Sequence, residues 1–240
     1  MTQNNRERLR QAQADAAKQQ RLNRIIGVGA AILVVVLIAV FVGVLLQNQS
    51  QQAANSSSAI TPPNATSDGK AVVVSPGVAK QGAPVVELFF DYQCPVCKQF
   101  ESIYGSTLNT LAASGDIELH YRTMNFLDAN LANDASLRAG IAATCADTVG
   151  QYSAFHNEIY AEQPATEGEG YTDATLRATI PAKVGITGDS LTTFQSCYDK
   201  QATKAFVTTM GDLGVQDMQT VTKQVATPTV FVNGKNLPFS

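Results

Sequence analysis

The distribution of apolar and polar positions divides the chain into unlike parts. Residues 25–46 (IIGVGAAILVVVLIAVFVGVLL) are 22 consecutive positions without a charge or an amide. At about 1.5 Å per residue, a helix of that length spans a hydrocarbon core of roughly 30 Å. The run is longer than the apolar stretch of a cleaved export signal, and no small-residue cleavage site closes it. It predicts an uncleaved transmembrane anchor. Residues 47–70 are polar, rich in Ser, Asn and Gln, and broken by Pro62 and Pro63. That composition cannot bury a core and predicts a flexible linker.

From residue 71 onward the pattern is that of a folded domain. Ala71–Ser75 and Val85–Phe90 predict strands, the second apolar enough to be buried on both faces. A helix is predicted over 95–113, and alternation over 117–124 predicts another strand. Helical patterns follow at 129–149, 151–161, 172–180, 189–199 and 200–213, separated by Gly- and Pro-containing breaks. Thr229–Val232, an Asn233–Gly234 turn signal and a short strand to Phe239 predict a closing hairpin. Strand–helix–strand, a helical block and a hairpin together predict an α/β domain over 71–240, with an α-helical insertion at about 125–199.

Charge adds an orientation. Residues 1–24 carry a net charge of +4 and the residues after the anchor −7. Positive charge is retained on the cytoplasmic side, so residues 1–24 are expected inside and the domain outside the cell membrane. Across the chain 15% of residues are charged, below the roughly 25% of an ordinary soluble domain. The uncharged anchor and the nearly charge-free linker account for much of that deficit. The overall net charge of −3 gives no reason to expect a nucleic-acid partner.

The chemistry lies in four cysteines. Cys94-Pro95-Val96-Cys97 falls where an apolar strand ends and a helix begins, so Cys94 is expected at a helix N-terminus. Unpaired N–H groups and the positive end of the helix dipole stabilise a thiolate there, and the thiolate is the attacking species in disulfide exchange. Pro95 fits a first helical turn, where its missing N–H costs nothing. A zinc site would need a second close pair, and none exists; His120 and His156 read as ordinary polar-face or core residues. No metal and no cofactor are implied. Cys145 and Cys197 each fall on a predicted insertion helix in an oxidising compartment, which predicts a structural disulfide closing a long loop.

Ala226-Thr227-Pro228-Thr229 precedes the last strands. Its proline admits two readings: an edge-strand device, or a cis peptide that turns the Thr227 backbone toward the cysteines to meet an extended substrate.

The sequence VVELFFDYQCPVCKQFE, a long helical insertion and then ATPTVFVNG resemble the DsbA-like thiol–disulfide oxidoreductases of thioredoxin fold. The extra cysteine pair and single anchor look closest to the membrane-tethered, two-disulfide members of Gram-positive cell envelopes. The resemblance implies that Cys94 is the nucleophile and Cys97 the resolving cysteine. It further implies that Pro95 and Val96 tune the potential, that Pro228 is a cis-proline, and that Thr227 binds substrate. Implied partners are reduced or unfolded exported proteins, a membrane quinone-linked reoxidising protein and, through residues 25–46, the lipid bilayer.

The chain departs from this family in three places. Val96 stands where strongly oxidising members often carry histidine. Leu88 stands where many relatives place a buried acid, with Glu87 one residue off on the opposite strand face and Asp91 nearby. The C-terminal helix that usually follows the hairpin is absent before Ser240, so two expectations stand: the sequence is truncated there, or one sheet face is partly bare at Val230, Val232 or Phe239. The leading functional expectation is a membrane-anchored oxidase that introduces disulfides into exported proteins. The alternatives are an envelope reductase or isomerase, for example in cytochrome maturation, and a non-catalytic chaperone-like binding module.

Overall fold

The computed structural model describes residues 59–238. The predicted cytoplasmic segment, the anchor at 25–46 and the first part of the linker lie outside the described residues. Among the described residues, no helix is long and apolar enough to cross a membrane.

The strands are β1 (Val72–Val74), β2 (Val85–Phe90), β3 (Glu118–Thr123), β4 (Thr229–Val232) and β5 (Lys235–Asn236), in one sheet of order β1-β3-β2-β4-β5. β2 is central, parallel to β3 and antiparallel to β4, with Leu88 opposite both Tyr121 and Val230. Its alternating side chains serve two layers. Val86, Leu88 and Phe90 enter the main core, whereas Phe89 turns to the other face against Met124, Met218 and Phe231. This use of both faces is why the strand reads as continuously apolar.

The helix predicted over 95–113 is interrupted in the middle. It comprises α1 (Pro95–Phe100), a π-helical turn (Glu101–Gly105) and α2 (Ser106–Ala113). The insertion contains α3 (Leu127–Leu131), α4 (Ala135–Asp147), α5 (Tyr152–Ala161), a π-helical turn (Thr175–Thr179) leading into α6 (Ile180–Lys183), and α7 (Gly188–Asp199). A disulfide joins Cys145 of α4 to Cys197 of α7, with their Cα atoms 5.7 Å apart. Finally α8 (Lys204–Thr222) returns to cover the Phe89 face of the sheet.

Three expectations change. The helix expected at 200–213 continues to Thr222, through Gly214. That glycine is a point of close approach, since a Cβ there would come within 2.7 Å of Met124 Sδ. Residues 59–70, expected within the flexible linker, also belong to the domain. The Ile60 N–H donates to the Ala202 carbonyl at 2.9 Å, and the Asn64 N–H and Nδ2 donate to the Asp147 carboxylate at 2.9 and 2.7 Å. A segment too polar to bury a core of its own is thus fastened by hydrogen bonds, by the buried Pro62 and by Ala65 packed against the main core. Lastly, Val230 is buried and Val232 half-buried rather than bare. What remains open on that side is an apolar groove of about 270 Å³ between the sheet and α1–α2, lined by Val86, Leu88, Tyr104, Val232 and Leu237 among others. Phe239 lies outside the described residues.

Candidate active site

β2 delivers the chain to Asp91, and the carbonyl of Asp91 accepts the Cys94 N–H at 3.1 Å. This tight turn places Cys94 in extended geometry (φ −75°, ψ 117°) at the N-cap of α1, with Pro95 in the first turn. The Cys94 carbonyl accepts the Lys98 N–H at 3.2 Å. Both Cys94 and Cys97 are thiols here and are buried, at 7% and 1% exposure. Beside them Val96 is 55% exposed, so an incoming chain meets an apolar side chain next to the recessed sulfur.

The Thr227–Pro228 peptide is cis. It turns the Thr227 carbonyl toward Cys94, whose Sγ donates to it at 3.5 Å. Residues 133 apart in sequence are brought together because β4 pairs with β2, Thr229 opposite Phe89, at the end of β2 that leads into the cysteines.

The two sulfurs are electrostatically unlike. Donation from the Cys97 thiol, with help from the N–H groups of Cys97 and Val96, outweighs burial and lowers the Cys94 thiol to about pH 6. Burial, reinforced by the Cys94 sulfur, pushes the Cys97 thiol well above its ordinary range. The result is one sulfur that readily becomes a thiolate and one that stays a protonated thiol, without histidine between them.

The active-site turn is clamped by the insertion. The Tyr160 hydroxyl donates to the Asp91 carbonyl at 3.2 Å and the Tyr171 hydroxyl to the Tyr92 carbonyl at 2.7 Å. Gln163 Nε2 donates to the carbonyls of Tyr92 and Cys94 at 2.7 and 3.1 Å. A second latch surrounds the fully buried Asp91 carboxylate, which accepts from Ser136 Oγ at 2.6 Å and the Gln93 N–H at 2.9 Å. Burial raises this carboxyl to about 7. Gln93 Nε2 also reaches Asp128, at 2.9 Å. Sequence reasoning missed Tyr160, Gln163, Tyr171, Ser136 and Asp128 as partners of the site, because each meets it across 35 to 79 positions and none belongs to a spaced motif.

Other candidates are placed elsewhere. Glu87 lies on the α8 face, where Arg122 Nη1 donates to it at 3.0 Å, and Leu88 is core. His120 faces Glu118 at 2.8 Å, while His156 is fully buried among aromatic rings. Cys145 and Cys197 hold α4 to α7, apart from the Cys94–Cys97 pair. Among the described residues, no group of three or more His, Cys, Asp or Glu is placed to hold a metal ion.

The chain is similar to known proteins. The thioredoxin family model matches residues 77–238. Disulfide bond formation protein D of Bacillus subtilis is 27% identical over 176 residues, covering 72% of this chain and 73% of that protein. The solved DsbA of Mycobacterium tuberculosis in its reduced form is 25% identical with a TM-score of 0.55, covering 71% of this chain and 86% of its own. MdbA of Corynebacterium matruchotii, a thiol–disulfide oxidoreductase, superposes with a TM-score of 0.61 at 22% identity, over 80% of this chain and 95% of its own. With two thirds of its length matched, the chain belongs to the thioredoxin family, and its relatives there are DsbA-like thiol–disulfide oxidoreductases.

Proposed function

We propose that the chain is a membrane-anchored thiol–disulfide oxidoreductase that introduces disulfides into exported proteins through Cys94 and Cys97. The observation that carries this reading is the Cys94 sulfur. It lies at a helix N-terminus, has a thiol lowered to about 6, and sits 3.5 Å from the carbonyl before a cis-proline. A substrate thiolate attacks Cys94 Sγ of the oxidised pair. The Cys94–Cys97 bond breaks, its electron pair goes to Cys97, and a mixed disulfide forms. A second substrate thiolate then attacks the substrate sulfur of that bond and releases Cys94 as thiolate. The substrate leaves oxidised by two electrons, and the protein holds them as two thiols. The low Cys94 value makes it a good leaving group in this last step, which supports the oxidase over a reductase.

In this reading residues 25–46 hold the domain at the outer face of the cell membrane, and a quinone-linked membrane protein takes the electrons. Trapping tests it. A Cys97→Ala chain expressed in cells is expected to accumulate mixed disulfides with secreted, multi-cysteine proteins. Capture of only a cytochrome-assembly component would overturn it in favour of a reductase. A Cys94–Cys97 potential near the −120 mV of DsbA, rather than the roughly −270 mV of thioredoxin, is the matching solution result.

A further inference from the structure

Gln163 is a buried side chain that the exchange chemistry leaves without a task. It lies just past α5 and is 8% exposed, and burying an amide is costly unless its donors find partners. Pro164 follows it and disfavours helical backbone at Gln163, so the chain leaves α5 there. Both Nε2 hydrogens are spent on the active-site turn, one on the Tyr92 carbonyl at 2.7 Å and one on the Cys94 carbonyl at 3.1 Å. Lys98 grips the same residue from the other side, its Nζ donating to the Gln163 carbonyl at 3.1 Å. Gln163 is thereby joined to Tyr92, Cys94 and Lys98, three points of one short segment that lies 65 to 71 positions away.

The two carbonyls differ in what they would lose. That of Tyr92 also accepts from the Tyr171 hydroxyl at 2.7 Å, so it keeps a partner without Gln163. That of Cys94 accepts otherwise from the Lys98 N–H at 3.2 Å, the first bond of α1. The oxygen and sulfur of Cys94 hang on one Cα, so negative charge left on the oxygen opposes a thiolate at the sulfur. A fixed donor at that oxygen offsets the repulsion and costs no reorganisation when the charge forms. The titratable and charged groups around this turn are Asp91, Tyr92, Cys97 and Lys98 along the chain, with Tyr160 and Tyr171 from the insertion. Burial pushes the three tyrosines upward, so they stay neutral. The Asp91 carboxylate is turned to Ser136 and the Gln93 N–H, and residues 225–229 carry no charge.

We propose that Gln163 is a positioning residue that stabilises the Cys94 thiolate through the Cys94 carbonyl, and so sets how strongly the protein oxidises its substrates. This rests on the exchange reading above, in which Cys94 leaves as a thiolate when the substrate is released. In the disulfide form the Cys94 sulfur is uncharged and gains little from the donor. In the dithiol form it gains the full effect. Losing the Gln163 amide therefore raises the free energy of the reduced protein relative to the oxidised one and makes the protein a weaker oxidant.

The test compares the full chain with Gln163→Met, which keeps the length without the donors, Gln163→Glu, which places acceptors there, and Gln163→Lys, which restores donors. The first readout is the pH midpoint of Cys94 alkylation by iodoacetamide. The second is the equilibrium with glutathione at neutral pH, in which two glutathione thiols become one disulfide as the Cys94–Cys97 disulfide becomes two thiols. Gln163→Met is expected to raise the midpoint by about half to one pH unit, the worth of one hydrogen bond. The glutathione equilibrium should move about threefold to tenfold toward the oxidised protein, the same quantity read as a ratio. Gln163→Glu should shift both further, and Gln163→Lys should return the midpoint to the wild-type value or below it. Midpoints unmoved in the Met and Glu variants overturn the proposal and leave Gln163 a packing residue. An equal rise in all three also overturns it, since that marks a loosened turn. Should the Met variant be too unstable to titrate, a Glu midpoint above that of Lys supports the proposal and the absence of that order overturns it. A wild-type chain that does not exchange with glutathione overturns the exchange reading, while the alkylation midpoints still decide the role of Gln163.

Discussion

At the scale of single residues, the site works by giving two chemically identical thiols opposite environments. The largest influence on Cys94 is the Cys97 thiol that donates to it. Alkylation of Cys94 by iodoacetamide in the reduced protein is therefore expected to have its midpoint near pH 6, and Cys97→Ala is expected to move that midpoint upward. An unmoved midpoint would assign the lowering to the helix N–H groups instead. Asp91 bears on stability with the opposite sign. Its carboxyl is raised to about 7, chiefly by burial, whereas an unfolded aspartate titrates near 3.9. Its contribution is complete below the unfolded value and is lost as pH rises through about 7. Denaturant midpoints of the oxidised protein should thus fall between pH 5 and 8, and Asp91→Asn should flatten that fall. The oxidised state is the right one to measure. In the reduced state the lowered Cys94 thiol adds stability that is present above its unfolded value and lost as pH falls through about 6. Cys94 and Cys97 were legible in the sequence because their chemistry depends on local spacing. The Asp91 latch was not, because Ser136 and Asp128 reach it only after the insertion folds back.

At the scale of elements, β2 and the start of the helix after it were readable to the residue because burial on both faces and a proline in the first helical turn are local signals, whereas the π-helical interruption at Glu101–Gly105 was not. α8 was misread for a physical reason. A glycine in a helical pattern ordinarily marks an end, but Gly214 lets α8 approach Met124 of the sheet layer. The same approach sets up the charge network of that face. Arg122 is 1% exposed, with Nη1 3.0 Å from Glu87 and 2.7 Å from Asp217 of α8, and its guanidinium lies 4.5 Å over the Phe89 ring. Removing one member of such a buried group leaves the others uncompensated, at a cost of about 3–5 kcal/mol. Arg122→Ala is expected to lower the denaturant midpoint by about the smaller of these values, since Lys70 still faces Asp217 at 3.0 Å. Cys94 reactivity should be unchanged, because the network lies on the sheet face opposite α1. A loss under about 1 kcal/mol would mean that the carboxylates are adequately hydrated without the arginine.

At the scale of the whole molecule, the question is where the folded domain begins. Composition alone puts the boundary at residue 70, since 47–70 is too polar to bury a core of its own. Hydrogen bonds put it earlier. Asp147, at the end of α4 and only 2% exposed, is satisfied by the backbone and side chain of Asn64, and these bonds offset the desolvation that raises its carboxyl. Ile60 is bonded to the connection just before α8, and Val73 of β1 donates to the Asn64 carbonyl at 2.8 Å. The segment therefore ties the insertion to the edge of the sheet, spanning the same two layers that meet at the active-site turn. Two truncations separate the readings. A chain lacking residues 1–58 should keep the stability and Cys94 reactivity of the folded domain and, on the proposed anchoring by residues 25–46, should leave the membrane fraction. A chain lacking residues 1–70 should lose about 1–3 kcal/mol for the stranded Asp147 carboxylate, read as a lower denaturant midpoint, and Asp147→Ala in that background should recover part of the loss. Equal midpoints for the two truncations would show that residues 59–70 add nothing to the stability of the domain.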